Sequence, residues 1–138
     1  MKRIITIACL SLAITTPALA QQCLHGADEM PQQKTRRVQA LGATRNVNNM
    51  QANQPGARGN KYLRHDELAA SPFAAKQTNE QFKALNLTPN EEILPGWQLT
   101  LEVGDDSYWF IVKDKTDPCG FAYISSKAGL IYSAEPIR

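Results

Sequence analysis

The sequence is poor in the side chains that carry chemistry. It holds two histidines, His25 and His65, and three cysteines, one of which, Cys9, lies within the first twenty residues. No Cys-x-x-Cys occurs, and neither histidine stands at a zinc-type spacing. A Gly-x-Ser-x-Gly elbow is missing, so no serine is marked as a nucleophile. The string GARGNKY at 56–62 lacks P-loop spacing and follows no strand-like run, which leaves nothing to cradle a phosphate. The expectation is therefore a non-enzyme, with no catalytic, cofactor-binding or metal-binding residue and no cofactor.

Long apolar runs are lacking as well. The longest, at 4–14, is shorter than the roughly 20 residues that span a bilayer. It follows Lys2 and Arg3 and precedes Ala18-Leu19-Ala20, the pattern of a secretory signal peptide cut after Ala20. A lipoprotein would need cysteine directly after the cut, where Gln21 and Gln22 stand. The expected product is exported, to the periplasm or the extracellular space, with no integral membrane segment after cleavage. Its 118 residues suit one domain, read as a polar N-terminal segment at 21–34 and a single domain at 35–138.

An excess of charge is missing too. Without Lys2 and Arg3, fifteen basic residues become thirteen, against thirteen acidic ones. A formally neutral chain has no general attraction for nucleic acid, so none is expected as a partner. The distribution is uneven: Lys34, Arg36, Arg37, Arg45, Arg58, Lys61 and Arg64 fall at 34–64 without an acid, whereas 65–138 carry eleven acids against six bases. Such a basic stretch reads as a solvated helix face and loop, or as a contact for an acidic protein or anionic lipid.

What is present begins with Cys23 and Cys119. In an exported chain an even pair reads as one disulfide, and closing so long a loop contributes about 4 to 5 kcal/mol in the chain-entropy model. Two free thiols are the other reading, with no histidine near Cys119 in sequence to activate one.

The chain from 35 to 54 is free of proline and repeats Ala40, Ala43, Val47, Met50 and Gln54 at steps of three and four, the stripe of an amphipathic helix. Thr35 is placed to cap it, and Gln54-Pro55-Gly56 to stop it. Two short helices are expected next, one opened by a capping box at 78–81 and one by Thr88-Pro89. From Trp97 the period becomes two, giving strands WQLTLEV, SYWFIVK, FAYIS and LIYSA separated by short polar loops. The expected fold class is α+β: an N-terminal amphipathic helix packed on a C-terminal four-stranded antiparallel meander, with short helices between.

Several strings in this order resemble the globular heads of type IV pilins and type II secretion pseudopilins. TRNVNNMQANQ at 44–54 is similar to the later part of the pilin helix, and GNKYLRHDEL to the segment that follows. PGWQLTLEVGDDSYWFIV is similar to the central strand pair, and CGFAYISSKAGLIYSAE to the closing hairpin. The resemblance covers most of 35–135 and implies a pilin-like head. In this chain an Ala-Leu-Ala signal peptide stands where the family has its prepilin leader and N-terminal membrane helix. The implied function is an exported, non-catalytic domain acting by protein contact in the cell envelope, with a pilus or secretion assembly. A small secreted inhibitor or ligand-binding module is the alternative, because a helix across an antiparallel sheet is also the cystatin-like architecture.

The remaining candidates are local. HDEL at 65–68 matches an endoplasmic-reticulum retrieval signal in letters only, being internal. His25 and His65 are expected at the surface. Asp114 and Asp117 raise a calcium site of the kind some pseudopilins carry, although two carboxylates fall short of six or more oxygens. The aromatics of the strands alternate between the two faces, so some lie away from the helix. They are covered either by a second small core around Phe73, Phe82 and Leu94 or by a partner.

Overall fold

The computed structural model describes residues 23–53 and 62–135. The signal peptide, with Cys9, and the helix stop at 54–56 lie outside the described residues. The architecture is α+β, and no helix among the described residues is long and apolar enough to cross a membrane.

Helix α1, Pro31–Ala52, starts four residues before the expected cap. Pro31 takes the first turn, where a fixed φ suits the helix and a missing N–H costs nothing. Thr35 is already inside, its hydroxyl donating to Pro31 O at 3.0 Å. Residues 31–34, read from the sequence as part of the polar segment, thus belong to the helix. Ala40, Ala43, Val47 and Met50 form the buried stripe, each 1% exposed or less. Thr44 and Gln51 widen it, and the Gln51 amide both donates to Leu63 O and accepts from Leu63 N–H at 2.8 Å. That exchange satisfies a buried amide and ties the end of α1 to the chain beyond residue 61.

A 3-10 turn at His65–Glu67 leads to α2, Pro72–Ala75, and α3, Glu80–Lys83. Ser71 caps α2 by accepting from Ala74 N–H at 3.0 Å, and Asn79, one residue beyond the expected Thr78, caps α3 by accepting from Gln81 N–H at 2.8 Å. Phe82 belongs to the main core, with Phe73 and Leu94 packed on it, so no separate second core forms. At 88–91 the expected helix is a turn instead: Glu91 N–H reaches Thr88 O at 3.3 Å, and Asn90 sits at φ +67°, which halts a right-handed helix.

That turn feeds a strand the sequence reading omitted. Among the described residues the sheet has five strands rather than four: β1 Glu92–Leu94, β2 Trp97–Val103, β3 Tyr108–Asp114, β4 Ala122–Ser126 and β5 Ile131–Ala134. All neighbours are antiparallel and the order is β1-β2-β3-β4-β5, a simple meander. The β1–β2 turn needs Gly96, because its φ is +80° and a Cβ there would run into the Arg36 and Thr116 side chains. On the inner face Trp97, Leu99, Tyr108, Phe110, Val112 and Tyr123 join the α1 stripe in one core. Polar contacts fix the helix there: Tyr108 Oη donates to Asn48 Oδ1 at 3.1 Å, and Asn48 Nδ2 donates to Ser125 Oγ of β4 at 2.9 Å.

Candidate functional site

Cys23 and Cys119 form a disulfide, with Cα atoms 5.2 Å apart across a sequence separation of 96. It seats the first described residues against the loop between β3 and β4. Asp117 completes the seat by accepting three backbone N–H groups, from Leu24 at 3.0 Å and from Cys119 and Phe121 at 3.1 Å each. One carboxylate thereby satisfies donors from both sides of the disulfide.

Behind the disulfide lies a buried cluster of charges. His25 is only 5% exposed, which corrects the surface position expected for it. Its Nδ1 faces Glu29 Oε1 at 2.6 Å and its Nε2 faces Asp114 Oδ2 at 2.9 Å, while its ring leans on Phe121, centroids 4.7 Å apart, and on Trp97. Glu29 also accepts from Arg37 through Nε and Nη2, the latter at 2.8 Å. Asp114 accepts from Arg36 Nη2 at 3.3 Å and from the Thr116 N–H and hydroxyl at 2.8 and 2.6 Å. Arg36 also lies over the Trp97 ring. Glu29 and Asp114 therefore each have an arginine and further donors, the condition under which burying charge is tolerated.

The electrostatics follow. The Arg37 hydrogen bond, with help from His25, holds the Glu29 carboxyl below its usual range and pushes Arg37 higher still. Burial pushes Asp114 up, but hydrogen bonds from Thr116 and His25 and the charge of Arg36 more than offset it, leaving it lowered. Both nitrogens of His25 are committed to carboxylates, so neither can exchange a proton with a substrate without breaking an internal contact. The cluster clasps the segment before α1, α1 itself and the end of β3 together.

The same geometry bears on Asp114 and Asp117 as calcium ligands. Asp114 and Asp117 turn their oxygens onto protein donors, leaving no cage of free oxygen ligands. Among the described residues no group of three or more His, Cys, Asp or Glu could hold a metal ion. Of the basic stretch, Arg36 and Arg37 face inward, Lys34, Arg45 and Arg64 are exposed, and Arg58 and Lys61 lie outside the described residues.

His65 is half-buried, and its buried Nε2 has no hydrogen-bond partner among the described residues. Burial lowers its pKa from the ordinary 6.5. The unfolded chain then binds more protons at His65, so this contribution to stability is full above about pH 6.5 and shrinks as pH falls towards the folded value. Glu29 and Asp114, with folded values below 4.5 and 3.8, add a second loss on further acidification. The melting temperature is expected to fall in two stages between pH 7 and pH 3, and His65→Gln is expected to reduce the first slope. A scan of melting temperature against pH checks this, and an unchanged slope between about pH 6.5 and 5 in His65→Gln contradicts it.

The other candidate is the outer face of the sheet, turned away from α1. Register places Glu102, Trp109 and Ser126 in one row, Thr100, Ile111, Ile124 and Tyr132 in the next, and Gln98, Lys113, Ala122 and Ala134 in a third. Trp109 is 45% exposed and Tyr132 61%, so part of the aromatic alternation read from the sequence ends in solvent. No family model, curated protein or solved structure matches this chain.

Proposed function

We propose that this protein is an exported, non-catalytic domain of the pilin-head type that acts by protein contact within a pilus or secretion assembly of the cell envelope. The observation that carries the proposal is the pair of exposed aromatics Trp109 and Tyr132, in adjacent rows of the outer face, one on the central strand β3 and one on the edge strand β5. Large aromatics on a firm surface supply contact area at small entropic cost, and tryptophan and tyrosine are over-represented where binding energy concentrates. The order of helix first and antiparallel meander last supports the pilin-like part, and the internal engagement of His25 supports a role without catalysis.

Tagged protein recovered from cell envelopes tests it. Wild type is expected to bring down pilus or secretion components, and Trp109→Glu, at an unchanged melting temperature, to lose them through a weakening of about thirtyfold or more. Recovery of the same components at the same yield by both, or of none by wild type, overturns the proposal.

A further inference from the structure

The outer face carries charge as well as aromatic surface, and the charge is arranged by sign. Glu102 lies at one end, in the row of Trp109, and Lys113 at the other, in the row of Ala122. Four residues along β3 separate the two rows, about 13 Å at strand rise. Neither Glu102 nor Lys113 has an ion pair or side-chain hydrogen bond among the described residues. Between them runs the least polar row, with Ile111 and Ile124 adjacent on β3 and β4 and Tyr132 beside them on β5.

Resting on the reading of this face as a protein contact, we infer that its partner is a second copy of this chain, packed face to face about a two-fold axis along the row Thr100, Ile111, Ile124 and Tyr132. Such an axis reverses the strands of one copy over those of the other. Ile111 then meets its own equivalent, and Lys113 of each copy arrives at the level of Trp109 and Glu102 of the other. Its ammonium lies one strand spacing, about 4.8 Å, to the side of Glu102 across the interface. Two symmetric ion pairs thus flank an apolar centre, and two unpaired charges per copy gain partners at once.

The arrangement is isologous, as closed two-fold dimers require. Two stacked sheets about 10 Å apart, crossing at the usual twist of about 30°, accommodate the side chains. The formally neutral composition of residues 21–138 opposes it with no net repulsion. An anionic lipid surface is a poor occupant, since Glu102 stands on the same face. The footprint is four strands wide, so the expected dissociation constant is micromolar, about 10 µM, rather than nanomolar.

Sedimentation velocity on the disulfide-bonded protein at roughly 1 to 500 µM tests this. Wild type is expected to move from monomer to dimer with concentration. Ile111→Lys is expected to remain monomeric, and Glu102→Lys and Lys113→Glu each to weaken association about tenfold. The double variant Glu102→Lys with Lys113→Glu restores both pairs with sign reversed and is expected to dimerise like wild type. All three positions lie on the outer face, Glu102 and Lys113 exposed and Ile111 partly so, and matched melting temperatures show that the variants stay folded. Monomer at every concentration, a dimer that survives Ile111→Lys, or a double variant no better than the singles overturns the inference. If wild type is monomeric while Trp109→Glu still loses envelope partners, the self-pairing is wrong and the proposed function stands. If neither association is found, both fail.

Discussion

Replacing Cys23 and Cys119 together by alanine is expected to lower the unfolding free energy by about 4 to 5 kcal/mol, because the bond closes nearly the whole folded chain into one loop. The loss arises mostly in the unfolded ensemble, which regains the loop-closure entropy that the bond withholds. The native contacts of the same segment do not need the sulfurs: Leu24 still donates to Asp117, and His25 still lies between Glu29 and Asp114. The double variant should therefore keep the native fold while its urea midpoint falls sharply and its m-value rises with the more expanded denatured chain. For a domain whose total stability is about 5 to 15 kcal/mol, most of the margin disappears. Urea unfolding of the oxidised, reduced and double-alanine forms checks it, the last two being expected to agree. An unchanged midpoint sinks the prediction.

Asp114→Ala is the second large effect, a loss of about 3 to 5 kcal/mol. The carboxylate is fully buried, and its removal strands His25 Nε2, the Arg36 guanidinium and the Thr116 N–H and hydroxyl at once. Asp114→Asn retains an acceptor for Thr116 and should cost less. The effect has a pH signature. A carboxyl whose folded pKa is lowered contributes stability above its ordinary value of 3.8 and loses it as pH falls through the folded value. Wild type and Asp114→Ala should therefore converge on acidification. Urea titrations at pH 7 and near pH 3 test it, and a difference below about 1 kcal/mol at pH 7, or an equal one at both, rejects it.

Legibility in the sequence followed the range of the interactions. The α1 stripe at Ala40, Ala43, Val47 and Met50 and the alternation from Trp97 are periodic, and both ended where their period put them, in one core. Strand β1 was illegible because three residues, Glu92, Ile93 and Leu94, are too few to show a period, and its pairing with β2 is irregular. The charged clasp was missed for another reason: His25 and Asp114 are 89 residues apart, and no spacing rule joins them. One available signal could have found it. A bond between Cys23 and Cys119 makes neighbours of whatever lies a few positions from each, which places His25 and Glu29 beside Asp114 and Asp117. On the outer face, alternation gave the aromatics their side, but only the register aligned Glu102 and Lys113 at opposite ends.

The disulfide also decides how this protein answers tension. The covalent path of a pull between Cys23 and Ala134 runs through the sulfur pair into Cys119 and out along β4 and β5, so α1 and the strands β1 to β3 lie off it and are loaded only through their contacts with β4. Full extension then releases only the 15-residue separation from 119 to 134, about 50 Å, where the uncrosslinked chain would yield its full 111-residue separation, about 380 Å. Under load the molecule is a short tether with a sheltered body, and the closing hairpin is the part that gives way.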